Sequence, residues 1–318
     1  MKESTGELPR LGVKIPNHGG PSTHPGVVTM ARIAEDAGAD ALHVSDHVVL
    51  REPKRSRYPF TPDGSFPWAV DTDVLDALVC CATIAAVTTR VSVGPSVLVL
   101  PQRHPLEVAK AAASIDRISG ERLFLGVGAG WLAEEFDALG QDFATRIPRM
   151  REGVEVMRHA WSGDTGAFHG EFYDVPAGTY CRPLPERPSG IPVLVGGMTP
   201  AALRRAARFG DGWIALTIVG PGAPVDLHEP ELERLRSHRP SSGFHTVMRV
   251  ICGEAESSRL PEIVADLARV GYDEVSIDVP WSEPEKAAAI IAACREALRG
   301  PHTPQAPRTS PRGSGLTV

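Results

Sequence analysis

Asp46 and His47 follow the apolar run Ala41-Leu42-His43-Val44 and set an acid beside an imidazole where a buried strand should run out. An imidazole has an unperturbed pKa of about 6.5 and exchanges a proton near neutral pH, which suits His47 to general acid/base work. The plainer role for both residues is to cap the strand end. Successive strand side chains point to opposite faces, so both can line one pocket only if the loop turns one of them. A second stretch, LVGGMTPAAL, ends an apolar run in Gly196 and Gly197 and opens a helix with Thr199 as N-cap and Pro200 in the first turn. Glycines that permit close backbone approach, ahead of a helix start with unpaired N–H groups, form a good phosphate seat. The alternative is a tight strand-to-helix turn with no ligand. The run Gly126 to Gly130 could wall a flat-ring pocket, but its glycine spacing does not match the G-x-G-x-x-G dinucleotide fingerprint.

Other chemistries find less support. His18 and His24 flank GGPST without E-x-x-H or paired-carboxylate spacing, so no metal site is expected, and no G-x-S-x-G elbow signals a hydrolase. The five cysteines, Cys80, Cys81, Cys181, Cys252 and Cys294, show no CxxC pairing and read as reduced core fillers in a cytoplasmic enzyme. A net charge of -6 argues against a nucleic-acid binder. The N-terminus lacks an apolar signal region, and no apolar stretch is long enough to span a membrane.

The elements that must position these residues are eight apolar runs, at 11–17, 41–47, 91–100, 123–130, 192–197, 212–216, 245–253 and 274–280. Each is followed by a helix-like segment. In one, Val108, Ala111, Ala112, Ile115 and Ile118 share a helical face. The alternation predicts a (β/α)8 TIM barrel, with a doubly wound open sheet as the competitor. Such a barrel needs about 250 residues, so the surplus of the 318 is assigned to an N-terminal extension (1–10), insertions near 50–70 and 163–190, and a disordered tail (299–318) around a barrel domain at 11–298. Active sites of such barrels lie at the C-terminal strand ends. Those ends carry Asn17 and His18, Asp46 and His47, Ser96 and Val97, Gly128 to Trp131, Gly196 to Thr199, and Trp281. Asn17, His18, Trp131 and Trp281 are taken as substrate-lining. The basic loop with Arg51, Lys54, Arg55 and Arg57 is either a lid for an anionic ligand or a solvated surface.

The segments AEDAGADALHVSDHVV, PSVLVLPQRHPLEVAKAAASIDRISGERLFLGVGAGWLAEEFDALG and FHGEFYDV…IPVLVGGMTPAALRRAARFGDGW, in this order and spacing, resemble the bacterial luciferase-like superfamily of flavin and deazaflavin (β/α)8 enzymes across residues 10–298. Within it the chain looks most like the coenzyme F-420 (deazaflavin) branch. The resemblance implies hydride transfer between the cofactor's C5 and a small organic substrate, with FMN as the alternative cofactor of a luciferase-like monooxygenase. A non-catalytic flavin-binding relative is the second alternative. It implies His47 as the catalytic acid/base or ring-charge stabiliser, and Asp46 against the cofactor ring. Ser96 and Val97 match a strand-tip bulge with a non-proline cis peptide. Gly128, Ala129, Gly130, Gly196, Gly197, Met198 and Thr199 match the loops that hold the ribityl chain and phosphate. A separate cofactor reductase and a homodimer are further implications. One departure stands out: where the sugar-phosphate dehydrogenase branch carries a catalytic glutamate, this chain has Trp131, with Glu134 and Glu135 about one turn later. This speaks against a glucose-6-phosphate-type oxidation and favours a bulkier, flatter substrate.

Overall fold

The computed structural model describes residues 8–52, 55–61, 63–187, 189–221, 224–238 and 243–299. The expected N-terminal extension and tail lie almost wholly outside these residues, and Arg299 belongs to the last helix rather than to a tail. All eight apolar runs form strands: β1 Arg10–Lys14, β2 Ala41–Val44, β3 Ser92–Pro95 with its continuation Leu98–Val99, β4 Leu125–Gly128, β5 Val193–Gly196, β6 Gly212–Val219, β7 His245–Cys252 and β8 Glu274–Ile277. They pair in parallel in the order β3-β2-β1-β8-β7-β6-β5-β4. The ring closes where Leu98 and Val99 pair with Val127 and Gly128, and where Val93 bridges Leu123. Eight strands of such a sheet enclose a space that side chains fill.

Each barrel strand is followed by a helix on the outer layer: α1 Val27–Asp36, α2 Ala77–Val87, α3 Pro105–Ser119, α4 Arg146–Ser162, α5 Pro200–Phe209, α6 Glu229–His238, α7 Leu260–Val270 and α8 Pro284–Arg299. The starts follow the chemistry of the chain. The Asp76 side chain accepts from the Leu78 and Val79 amides, and Thr199 caps α5 through Ala202. Val13, Leu42, Val44, Val93, Leu125, Val127, Val193 and Val195 are fully buried, so the strands are covered on both faces, as their near-continuous apolar character requires. The 163–190 insertion contains a short hairpin, Phe168–His169 against Asp174–Val175.

Two features of the barrel interior matter below. Its waist is narrow: a Cβ on Gly94 would lie 2.2 Å from the Phe124 carbonyl oxygen. Gly94→Ala is therefore expected to push β3 from β4 and cost about 3 kcal/mol, read as a lower denaturant midpoint at unchanged m-value. A wild-type midpoint would contradict this packing. The second feature is a buried ion cluster at the opposite end from the strand tips. Glu274 Oε1 meets His43 Nε2 at 2.7 Å, and Glu274 Oε2 lies 3.5 Å from His245 Nε2 and 3.6 Å from Arg10 Nε.

Candidate active site

At the strand tips, Asn17 acts as a clamp. Its Oδ1 accepts from the Ser45 amide at 2.9 Å, and its Nδ2 donates to the Ser45 and Leu75 carbonyl oxygens. The residue is fully buried with its amide committed, so the expectation that Asn17 lines the substrate pocket is corrected: it fixes the β2 tip that carries Asp46 and His47.

Past the end of β2 at Val44, Asp46 and His47 then part. Asp46 turns to Arg103, whose Nη1 and Nη2 donate to Oδ2 and Oδ1 at 2.8 and 2.7 Å, while the Val99 amide donates to Oδ2 at 2.8 Å. Burial pushes the Asp46 carboxyl up, against the pull of Arg103 and the Val99 amide. The expected pairing of Asp46 with His47 at one pocket does not form. Instead Asp46 ties β2 to the end of β3.

His47 turns toward Glu135, with Nδ1 and Oε2 3.0 Å apart. The same carboxylate accepts the Val48 and Val49 amides at Oε1, at 2.6 and 3.2 Å. Burial pushes Glu135 up, but the hydrogen bond from His47 and that of the Val48 amide outweigh it, leaving the carboxyl below its usual range. An ionised Glu135 is acceptor-only, which assigns the proton to Nδ1 and leaves Nε2 as the nitrogen that can take a proton. Beside it, burial of Glu134 is outweighed by hydrogen bonds from the Ser56 hydroxyl and the Arg55 and Ser56 amides, and its pKa falls to about 2. The two glutamates thus anchor the chain on both sides of Arg51. Arg51 and Arg55 reach Asp137 at 3.8 and 3.6 Å in exposed pairs, a solvated arrangement worth little. Lys54 lies outside the described residues.

Neither glutamate had been given a role from sequence. Their signal was two acids on the first turn of a short helix, Ala133–Ala138, just past the β4 tip. Replacing Glu135 with Gln removes the charge but keeps an acceptor, and replacing it with Ala strands His47 and two amides. Turnover is expected to fall on the order of tenfold for Gln and about 10²-fold for Ala, the latter at the lower end of what acid/base groups supply. KM should move little; equal kcat in all three proteins would remove Glu135 from the site.

Over His47 the 50–70 insertion lays an aromatic cover. Its ring lies 5.5, 5.6 and 6.1 Å from Phe66, Trp68 and Trp131, and Tyr58 packs on Phe66 and Trp131 at 5.2 and 5.0 Å. His18 stacks on Trp68 at 3.7 Å. His18 and Trp131 therefore do stand at the mouth, with Tyr58, Phe66 and Trp68, which sequence reasoning had left inside an unread loop. Trp281 does not join them: it is 2% exposed and its Nε1 donates to the Lys14 carbonyl at 2.9 Å. It therefore cannot sandwich a substrate with Trp131.

The peptide between Ser96 and Val97 is cis. The Val97 side chain fills the space left by two glycines: a Cβ on Gly128 would lie 2.4 Å from Cγ2, and one on Gly196 2.7 Å from Cγ1. The glycine tips of β4 and β5 thus seat the β3 bulge, joining Ser96, Val97, Gly128 and Gly196 into one surface. Ala129 packs against the core, and Gly130 turns with φ +81°. Beyond Gly196, Gly197 has φ +127°, which suits glycine. Buried Trp213 holds this turn by donating from Nε1 to the Gly197 carbonyl at 2.9 Å, and the Leu216 amide donates to Met198 Sδ at 3.2 Å. Thr199 then opens α5 toward solvent.

The chain matches the family described as Luciferase-like monooxygenase over residues 10–258. It belongs to this family, and it is an oxidoreductase. An uncharacterized protein of Mycobacterium tuberculosis, Rv0940c, is 40% identical over 211 residues, covering 66% of this chain and 70% of that protein. The F420-dependent glucose-6-phosphate dehydrogenase of Gordonia bronchialis is 35% identical over 211 residues, 65% of this chain and 56% of that one. Among solved structures, an F420-dependent secondary alcohol dehydrogenase superposes with a TM-score of 0.69 at 14% identity, covering 91% of this chain and all of that one, a likeness of fold. Among the described residues no helix is long and apolar enough to cross a membrane, and no group of three or more His, Cys, Asp or Glu could hold a metal ion.

Proposed function

We propose that this protein is a coenzyme F-420-dependent oxidoreductase acting on a flat organic substrate, with His47 as its proton-handling group. The observation that carries the reading is the joint placement of His47, fixed by Glu135, and the Ser96–Val97 bulge, seated on Gly128 and Gly196, at one barrel mouth. The relative from Gordonia bronchialis supports the deazaflavin over a flavin. Bound there, a deazaflavin supplies a carbon centre that gives or takes a hydride.

The residues present fit such a group. The Val97 side chain, seated on the two glycine tips, offers a compact apolar support for a ring. The Gly197–Thr199 turn and the α5 start offer main-chain N–H groups to a phosphate. Close by, Arg205 makes no ion pair among the described residues, and burial together with the charges of Arg146 and Arg204 lowers its pKa. Gathered cations suit the anionic tail of the cofactor. His47, with Nδ1 committed to Glu135, would accept or supply at Nε2 the proton that accompanies hydride transfer. The aromatic cover would exclude water and stack on substrate. Because Tyr58, Phe66 and Trp68 now lie over His47, ring binding goes with displacement of these three side chains. In this reading a separate reductase supplies reduced cofactor, the barrel is one domain at 11–298, and Trp131 in place of a glutamate directs the site away from sugar phosphates.

The test is equilibrium binding of oxidised F-420 to wild type and to Arg205→Ala, followed by deazaflavin fluorescence. Saturable binding that Arg205→Ala weakens roughly tenfold, the loss of one charge-assisted contact, supports the reading. No saturable binding by wild type refutes it.

A further inference from the structure

Beneath the aromatic cover, the barrel interior carries charge that the proposed cofactor contacts do not use. Gly12 faces inward, toward His43, Ser276 and Glu274, so Lys14, two residues on, points into the same interior at the mouth end. Lys14 is 4% exposed, and its Nζ has no hydrogen-bond partner. Arg249 projects from β7 at the same level. Its Nη1 donates to the Ser96 carbonyl at 3.1 Å, its Nη2 lies 3.8 Å from Asp278 Oδ1, and its Nε is unpartnered. The hydroxyls of Ser96 and Ser276 are buried and unpartnered too, Ser276 standing opposite Arg249 in the strand register. Two cationic side chains thus share one carboxylate, and a buried ammonium without a partner is costly. Burial lowers the Lys14 pKa well below its usual value and Arg249 adds to this, with Asp278, Cys80 and Cys81 opposing. His18 above is brought to about 3 by burial, Lys14, Arg249 and His47. A cavity of about 170 Å³, bordered by Pro16, Cys252, Glu254, Asp278 and Trp281, adjoins the cluster only at Asp278.

We propose that Lys14 and Arg249 form an anion subsite that receives the carboxylate of the substrate, so that this enzyme acts on flat organic acids. This rests on the oxidoreductase reading above for what happens to the substrate, but not for its binding. The carboxylate would sit on Lys14 Nζ and the unpartnered face of Arg249, and the attached conjugated or aromatic portion would lie under Trp68 and Trp131. A neutral substrate of the same shape would leave both cations as they are.

Cofactor-free protein titrated with benzoate and, separately, with its neutral isostere benzamide tests the proposal, with tryptophan fluorescence as the readout and the thermal midpoint as the fold control. Benzoate is expected to bind at least about tenfold more tightly than benzamide, the yield of a charge-assisted contact. Lys14→Met should abolish that preference while leaving benzamide binding intact. Arg249→Gln reads the same loss from the other strand if Lys14→Met does not fold. Equal binding of the two probes, an unchanged preference in the folded variants, or no benzoate binding up to its solubility limit would overturn the subsite. Because no cofactor is present, failure of F-420 to bind leaves this result untouched.

Discussion

Replacing His47 with Ala is expected to lower turnover on the order of 10²–10⁴-fold while cofactor affinity stays within a few-fold of wild type. The asymmetry follows from the geometry. His47 holds no strand together: Asn17 fixes the β2 tip and Asp46 ties it to β3, so the imidazole can be removed without loosening the glycine tips and α5 start assigned to the cofactor. What is lost is the nitrogen opposite the Glu135-bound Nδ1. The measurement is single-turnover oxidation of reduced F-420 by a flat conjugated acceptor found to react with wild type, alongside the cofactor Kd. Glu135→Gln should lie between wild type and His47→Ala. Unchanged turnover in His47→Ala would remove the residue from the mechanism, and loss of affinity in parallel with rate would make it a binding residue.

The second large effect concerns stability. Glu274 is 2% exposed and faces His43, His245 and Arg10. Removing it leaves the fully buried His43 Nε2 without its partner and takes the carboxylate from His245 and Arg10, and Glu274→Ala is expected to cost about 3 kcal/mol, or roughly 10 °C in Tm for a domain of this size. The pH dependence has a definite sign. Burial pushes the Glu274 carboxyl up, but the hydrogen bonds from His245 and His43, with Arg10, hold it well below its usual value. A depressed folded pKa contributes stability that is full above the unfolded value, near 4.3, and is lost as pH falls toward the folded one. The gap between wild type and Glu274→Gln should therefore shrink as pH falls below about 4. A gap that does not shrink at low pH would mean that the carboxylate is not held ionised in this cluster.

The two residues differ in how legible they were. Strands at all eight positions were readable because parallel strands covered on both faces leave continuous apolar runs, and Thr199-Pro200 announced α5 through its own capping chemistry. Polarity at a strand tip, however, does not say where a side chain points. Asn17, Asp46 and His47 looked alike in sequence, yet two of them face main chain and an arginine, and only His47 faces the mouth. Glu135, Tyr58 and Trp68 reach His47 from loops whose course no periodicity encodes. Lys14, Arg249 and Glu274 were visible as charges within apolar strands, and an inward charge among apolar neighbours was the signal that went unread. Trp281 misled because an aromatic residue past a strand end can as well seal the barrel as face a ligand.

The central claim is that this barrel serves a deazaflavin. The most direct measurement is a side-by-side titration of the purified protein with F-420 and FMN, oxidised and reduced, with oxygen uptake followed in the reduced series. Selective, tighter binding of F-420 in both states, without oxygen consumption, is the predicted result. Preference for reduced FMN accompanied by oxygen uptake would contradict it and make the protein a monooxygenase, as the name of its family allows.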